Sequence, residues 1–378
     1  MKQIRMKKRF MTLFAMVMAF TLCMTTMLPA FAANVPPSGN RTTTLKKYLV
    51  MDAEANVPNV KFNFTITSGS QVNATSDSPA IYAGIGTPTI SSATFSSSDS
   101  TIQGTPENTT ALDKKYATQT VTVDFENVSF TAPGIYRYIV TETSNTDNGI
   151  TNDTVTTRTL DVYVSYKNDS ETELEVAYYV LHEGLENPNT ATKSTGFTNT
   201  YSTQNLTLEK QVTGNQGDRD KYFEFTVNIT NAVAGTVYTV DLSNAEENPT
   251  VGNQQKTNPS TLTATGGTVT ATYYLKDDQS IVIQGLTGNT GYTITETSYA
   301  DDGYTTSYVI DTGAENKTST TGNQTMDNSD HKVTFTNNKS GTIPTGVLLE
   351  VAPYALLGVV VLSGLVVLFV TRKRPTNR

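Results

Sequence analysis

From residue 43 onward, apolar and polar residues alternate in many short runs, and this two-residue period most constrains what the chain can become. Val60 to Ile66, Thr120 to Phe125, Ile135 to Thr141, Thr159 to Tyr166 and Leu174 to Leu181 are rich in Val, Ile, Tyr, Phe and Thr. Segments of Gly, Asn, Ser and Asp separate them. Such runs suit strands with one buried face, so the expected class is all-β, a sandwich or barrel. The pattern returns in Leu206 to Val212, Tyr222 to Ile229, Thr268 to Tyr274, Ser280 to Ile283, Tyr292 to Thr297 and Lys332 to Thr336. No helical period interrupts it before the C-terminal stretch.

About 310 residues lie between the terminal segments, which at typical domain sizes is two domains. We expect one over residues 43–200 and a second over 205–339. The link Thr200 to Asn205 is too short for a floppy tether, so the pair should form a fairly stiff rod. Ser68 to Lys115, mostly Ser, Thr, Gly and Asn, reads as long surface loops with one or two short strands.

The two halves share an internal repeat. The first opens with Thr44-Leu45-Lys46-Lys47 and the second with Thr207-Leu208-Glu209-Lys210. Midway stand Tyr138-Ile139-Val140-Thr141-Glu142-Thr143 and Tyr292-Thr293-Ile294-Thr295-Glu296-Thr297. The halves close with Gly196-Phe197-Thr198-Asn199 and Thr334-Phe335-Thr336-Asn337. Side chains two apart share a strand face. Lys47 therefore lies with Leu45 and Leu49, Lys210 with Leu208 and Val212, Glu142 with Val140, Glu296 with Ile294, Asn199 with Phe197 and Asn337 with Phe335. All six polar residues point toward the apolar face.

Burying a lone Lys and a lone Glu costs several kcal/mol, on the order of the penalty for unpaired internal charge. In a dry core a neutral pair competes with the ion pair, because desolvation lowers the Lys pKa and raises that of Glu. A neutral Lys amine is a nucleophile, and a protonated Glu can polarise an Asn carboxamide and relay protons to leaving ammonia. The product is a Lys to Asn isopeptide bond, formed once and without a cofactor, with Glu142 and Glu296 as the catalytic groups.

The termini read as targeting segments. Lys2, Arg5, Lys7, Lys8 and Arg9 precede an apolar stretch from Phe10 to Leu28 and then Ala30-Phe31-Ala32, the layout of a signal peptide (residues 1–32) cleaved after Ala32. At the other end, residues 342–378 run Thr342-Ile343-Pro344-Thr345-Gly346, an uncharged stretch from Val351 to Val370 long enough for a transmembrane helix, and Arg372-Lys373-Arg374. The whole chain has 27 basic and 35 acidic side chains. Between residues 33 and 345 these fall to 18 and 34, a net charge of −16, so the exported body has no basic surface for nucleic acid. The one cysteine, Cys23, lies within the signal segment, which leaves the mature chain without a thiol for a disulfide. With no mature Cys and with only His182 and His331, both in polar contexts that suggest the surface, neither a Cys/His pair nor a His-rich metal site is expected.

These residues resemble a known family, the major (backbone) pilins of sortase-assembled pili in Gram-positive bacteria, of the streptococcal T-antigen type. The resemblance rests on the paired Lys, Glu and Asn elements, on Gly214-Asn215-Gln216-Gly217-Asp218-Arg219-Asp220-Lys221-Tyr222-Phe223, and on Phe335-Thr336-Asn337-Asn338-Lys339 running into the Pro-Thr-Gly element. It implies two tandem immunoglobulin-like (CnaB-like) sandwiches, with Lys47 joined to Asn199 beside Glu142 and Lys210 joined to Asn337 beside Glu296. It also implies that a sortase cuts between Thr345 and Gly346 and joins Thr345 to a Lys of a neighbouring copy, head to tail. Lys193, six residues before Asn199, stands where the family places that acceptor, and Lys167 is the alternative. Further implied partners are minor pilins and peptidoglycan; the implied location is a pilus shaft or the cell wall, with the precursor transiently in the plasma membrane. Two features depart from the family. Thr342 and Ile343 replace the Glu or Gln and then Val that precede Pro-Thr-Gly, and the spacing from Lys193 to Asn199 is one residue short. The other functional class is a wall-anchored adhesin that stays monomeric and uses loops such as Ser68 to Lys115.

Overall fold

The computed structural model describes residues 41–76, 78–167, 173–184, 192–341, 357 and 359–368. The signal segment and the Thr345 to Gly346 junction lie outside the described residues. So do the ends of the expected membrane span: residues 359–368 are helical, and among the described residues no helix is long and apolar enough to cross a membrane.

Two β-sandwiches follow one another along the chain. The main strands of the first are β1 (Thr42–Asp52), β2 (Phe64–Ser68), β3 (Lys114–Asp124), β4 (Gly134–Glu142), β5 (Thr157–Tyr166), β6 (Leu174–Glu183) and β7 (Gly196–Tyr201). One sheet is built around β7-β1-β3, and the facing sheet runs β6-β5-β4-β2. The second sandwich has β8 (Gln204–Thr213), β9 (Phe223–Thr230), β10 (Val237–Asn244), β11 (Val269–Leu275), β12 (Ser280–Leu286), β13 (Gly291–Glu296), β14 (Thr305–Ile310) and β15 (His331–Asn338). Its sheets are built around β10-β12-β8-β15-β14 and β11-β9-β13.

In both sandwiches the first strand pairs in parallel with the last. Lys47 stands opposite Phe197 in the first, and Lys210 opposite Phe335 in the second. Each Asn is therefore two residues beyond the partner of its Lys, on the same face of the adjacent strand. Gly196 is needed for this approach in the first sandwich, because a Cβ there would run into the Lys46 carbonyl. The apolar faces form one core per sandwich. Leu45, Leu49, Val121, Tyr138, Val140 and Phe197 belong to the first, and Leu208, Phe225, Ile281, Ile294, Val333 and Phe335 to the second.

Residues 68–115 hold more structure than the one or two short strands expected. Ile81–Ala83, Thr89–Ile90, Ala93–Phe95 and Ile102–Gln103 are all strands. Ala93–Phe95 pairs with Val60–Phe62, and Phe95 is fully buried against Phe62 with ring centroids 5.8 Å apart. Long-range pairing explains the difference, since three residues carry too short an alternation to read as a strand alone. The second sandwich also holds β10 and β14, which are not among the runs given above. In β10, Tyr238 and Val240 point into the core, and a register shift falls between Asp241 and Asn244.

Only Ser202 and Thr203 separate β7 from β8. The segment after β1 crosses to the second sandwich, where the Asn56 amide nitrogen donates to the Val237 carbonyl at 2.8 Å and to the Thr239 hydroxyl at 3.0 Å. Tyr201 and Tyr238 are both buried at this junction. Asn56→Ala removes both hydrogen bonds, at an expected cost of roughly 1–3 kcal/mol. A lowered thermal midpoint checks this, together with greater relative motion of the two sandwiches in NMR relaxation.

Candidate functional site: a Lys, Glu and Asn cluster in each core

All six residues of the repeat are buried, none more than 3% exposed. In each sandwich Lys and Asn come from neighbouring parallel strands of one sheet, whereas Glu ends a strand of the facing sheet, β4 or β13. The cluster therefore spans the core from sheet to sheet.

In the first sandwich the Lys47 Nζ lies 2.8 Å from Glu142 Oε1, and the Asn199 amide nitrogen donates to the same oxygen at 2.9 Å. The ammonium also faces the Phe62 ring, 4.5 Å from its centroid. In the second, Lys210 Nζ is 3.1 Å from Glu296 Oε1 and 4.3 Å from the Phe223 centroid. Asn337 faces the same carboxyl, although neither polar atom of its side chain reaches hydrogen-bond geometry.

The electrostatics match between the two clusters. Burial pushes the Lys47 and Lys210 amines down to about 8, against the opposing pull of Glu142 and Glu296. Burial also raises the pKa of both glutamates, and their lysines counter it. Each pair favours holding one proton between two groups. Moving that proton from Lys to Glu yields a neutral amine and a carboxylic acid without exchange with solvent. Such a state supplies a nucleophile, an acid and an electrophilic carboxamide in one dry site.

The first cluster has a further contact that strand parity did not disclose. The Asp153 backbone N–H donates to Asn199 Oδ1 at 2.9 Å. Asp153 lies between β4 and β5, 46 residues before the Asn, and has no counterpart in the repeat.

The other singled-out residues lie apart from the clusters. Lys193 is half-buried and bridges His182 at the edge of β6. Contrary to the surface position expected, His182 is buried, with Nε2 at 3.5 Å from Asp161, which Arg137 grips with two hydrogen bonds of 2.8 and 2.7 Å. The segment carrying Lys193 lies along β6 through bonds from the Glu183 and Ser194 amides to Thr192 and Leu181. Polar sequence context could not show that cover. Lys167 is half exposed and lies 3.9 Å from Glu173. Among the described residues no group of three or more His, Cys, Asp and Glu side chains could hold a metal ion.

Residues 43–202 match the family described as the Spy0128-like isopeptide containing domain, and residues 204–339 match a domain of unknown function. A protein named pilin from Streptococcus pyogenes serotype M1 is 30% identical over 337 residues, 86% of this chain and 89% of that protein. In fold, the chain is similar to the major pilin of Streptococcus pyogenes, with a TM-score of 0.55 and 24% identity over 80% of this chain and 99% of the other. It is similarly close to the major pilin protein T3.2 from serotype GAS13637 of that species, with a TM-score of 0.56, 24% identity and the same coverage.

Proposed function

The chain belongs to the pilin family, as a structural subunit of a cell-surface pilus, and on that premise we propose that an internal Lys–Asn isopeptide bond closes each of its two sandwiches. Lys47 joins Asn199 under Glu142, and Lys210 joins Asn337 under Glu296. The observation that carries this reading is the repetition of one buried geometry. In both domains a Lys on the first strand, an Asn two residues past its partner on the parallel last strand, and a Glu from the facing sheet meet in the core. Structural ion pairs seldom bring an uncharged carboxamide with them at the same register twice.

In each site the neutral Lys amine attacks the Asn side-chain carbonyl carbon. The Glu carboxyl passes a proton to the departing nitrogen, which leaves as ammonia. The bond ties together the two strands through which pull along the chain enters and leaves each domain. Because those strands are parallel neighbours, tension passes through the crosslink and largely bypasses the rest of the sheet.

We also propose that a sortase cleaves between Thr345 and Gly346 and transfers Thr345 to Lys193 of a neighbouring copy, head to tail. The polymer, with any minor pilins, is then transferred to peptidoglycan. The apolar stretch from Val351 to Val370 retains the precursor in the membrane until transfer.

The intact mass of the mature chain tests the crosslinks. The expected mass is lower than that of the sequence by two ammonia molecules, and Glu142→Ala or Glu296→Ala restores one each. A wild-type chain of full mass overturns the reading.

A further inference from the structure

We infer that the Asp153 main-chain N–H is the oxyanion donor for bond formation in the first sandwich, that Arg158 is the residue positioning it, and that the first crosslink consequently forms faster than the second. This rests on the crosslink reading above and adds a group that the repeated Lys, Glu and Asn do not contain.

The N–H is built into its place from several sides. Asp153 Oδ2 accepts from the Thr198 amide at 2.9 Å, so the loop is tied to the strand that carries Asn199. Arg158 Nη2 donates to the same carboxylate oxygen at 2.8 Å. Arg158 is itself fixed: its Nε donates to the Gly196 carbonyl at 2.8 Å, its Nη1 to the Thr157 carbonyl at 3.0 Å, and its guanidinium lies over the Phe197 ring at 4.5 Å. Asp153 Oδ1 in turn accepts from the Val155 amide at 2.9 Å, which closes the loop upon itself. These bonds direct the Asp153 N–H at Asn199 Oδ1 before any reaction.

The chemistry places charge on that oxygen. When Lys47 Nζ forms its bond to Asn199 Cγ, the carbonyl π pair moves onto Oδ1, and a preorganised donor stabilises it there. The pair returns as the Cγ–Nδ2 bond breaks. The amine gives up one proton and the leaving nitrogen gains one through Glu142, so one amide replaces another and ammonia departs. In the second sandwich, by contrast, Asn337 Oδ1 has no hydrogen-bond donor. The two sites thus share nucleophile, acid and electrophile; they differ in this contact and in the bond from Asn199 Nδ2 to Glu142, which Asn337 does not make to Glu296, and the Asp153→Ala and Arg158→Ala chains isolate the first difference from the second.

The test compares rates within full-length chains recovered unfolded and then refolded, with intact mass followed over time. A Glu296→Ala chain reports only the first bond, and a Glu142→Ala chain only the second. The first bond is expected to form about tenfold to a hundredfold faster, somewhat less than the loss seen when an oxyanion donor is deleted from an enzyme. Asp153→Ala in the Glu296→Ala chain frees the loop and brings the first rate down to about that of the second. Asp153→Asn keeps a side-chain oxygen for Thr198 and restores most of the rate, and Arg158→Ala slows it. Circular dichroism of each refolded chain separates a slow reaction from a failure to fold. Equal rates for the two bonds, with folded Asp153→Ala and Arg158→Ala chains as fast as their parent, overturn the inference. Absence of mass loss in every chain overturns the crosslink reading along with it.

Discussion

Glu296→Ala is expected to lower the thermal midpoint of the second sandwich by roughly 15–25 °C while leaving the first largely unchanged. The proposed crosslink from Lys210 to Asn337 would close a loop of 127 residues. If the entropy of disulfide loops is a fair guide, this restriction of the unfolded chain stabilises the domain by ~5 kcal/mol, and for a domain of this size each kcal/mol is worth roughly 3–5 °C. The corresponding loop from Lys47 to Asn199 spans 152 residues, so Glu142→Ala should have a similar effect on the first domain. Differential scanning calorimetry, with intact mass on the same samples, measures both quantities. A midpoint unchanged in a chain that has regained its ammonia would show that the bond contributes nothing to stability.

The same variant should make stability depend on pH in a way the wild type does not. Without the bond, Lys210 remains a buried amine, held down to about 8 by desolvation even with Glu296 present to raise it. Its folded pKa is then below the unfolded value near 10.4, so the unfolded chain binds more protons in that window. Loss of Glu296 removes a pull that raises this amine, so stability rises with pH over a window that opens below about 8 and closes near 10.4, as the buried amine sheds its charge. If the wild type carries the proposed crosslink, that nitrogen is an amide and does not titrate, so this slope should be missing.

The second large effect concerns polymerisation. Lys193→Ala should collapse the covalent high-mass ladder extracted from the cell surface to a single monomeric band, as should replacement of Thr345 or Gly346. Lys167→Ala should leave it intact. Lys193 lies six residues before Asn199 on the segment that leads into β7. In the proposed polymer, tension arriving there would reach the proposed first crosslink almost at once, and at the other end Thr345 lies eight residues past Asn337. Half-buried against β6, Lys193 is also restricted in motion, which would lower the entropic cost of presenting it to an acyl-enzyme in the proposed transfer. A ladder that survives Lys193→Ala and disappears with Lys167→Ala would reassign the acceptor.

Much of this could be read from strand parity. Lys47 shares a face with Leu45 and Leu49, so a strand that buries those leucines turns that lysine toward the core as well. The same holds for Glu142 beside Val140 and for Asn337 beside Phe335. Parity gives a face and no more. It did not disclose the Ala93–Phe95 strand, which exists because Val60–Phe62 lies beside it. His182 differs from the surface position expected for a related reason: Glu183 and Gly184 follow it, but pairing with the segment around Lys193 and the neighbouring Asp161 carboxylate bury it.

The sequence by itself determined the all-β class, the division into two repeated halves and the burial of one Lys, one Glu and one Asn in each. These follow from local alternation and from comparing the halves, and neither depends on where the chain goes in space. Only the tertiary structure decided that each Glu reaches its Lys from the opposite sheet, that the Asn stands two residues beyond its partner's register, and that Asp153 lies over Asn199 in one domain alone. Those are distances between residues tens to more than a hundred positions apart, fixed by sheet pairing and by how the loops close over the core, and side-chain periodicity contains no information about either.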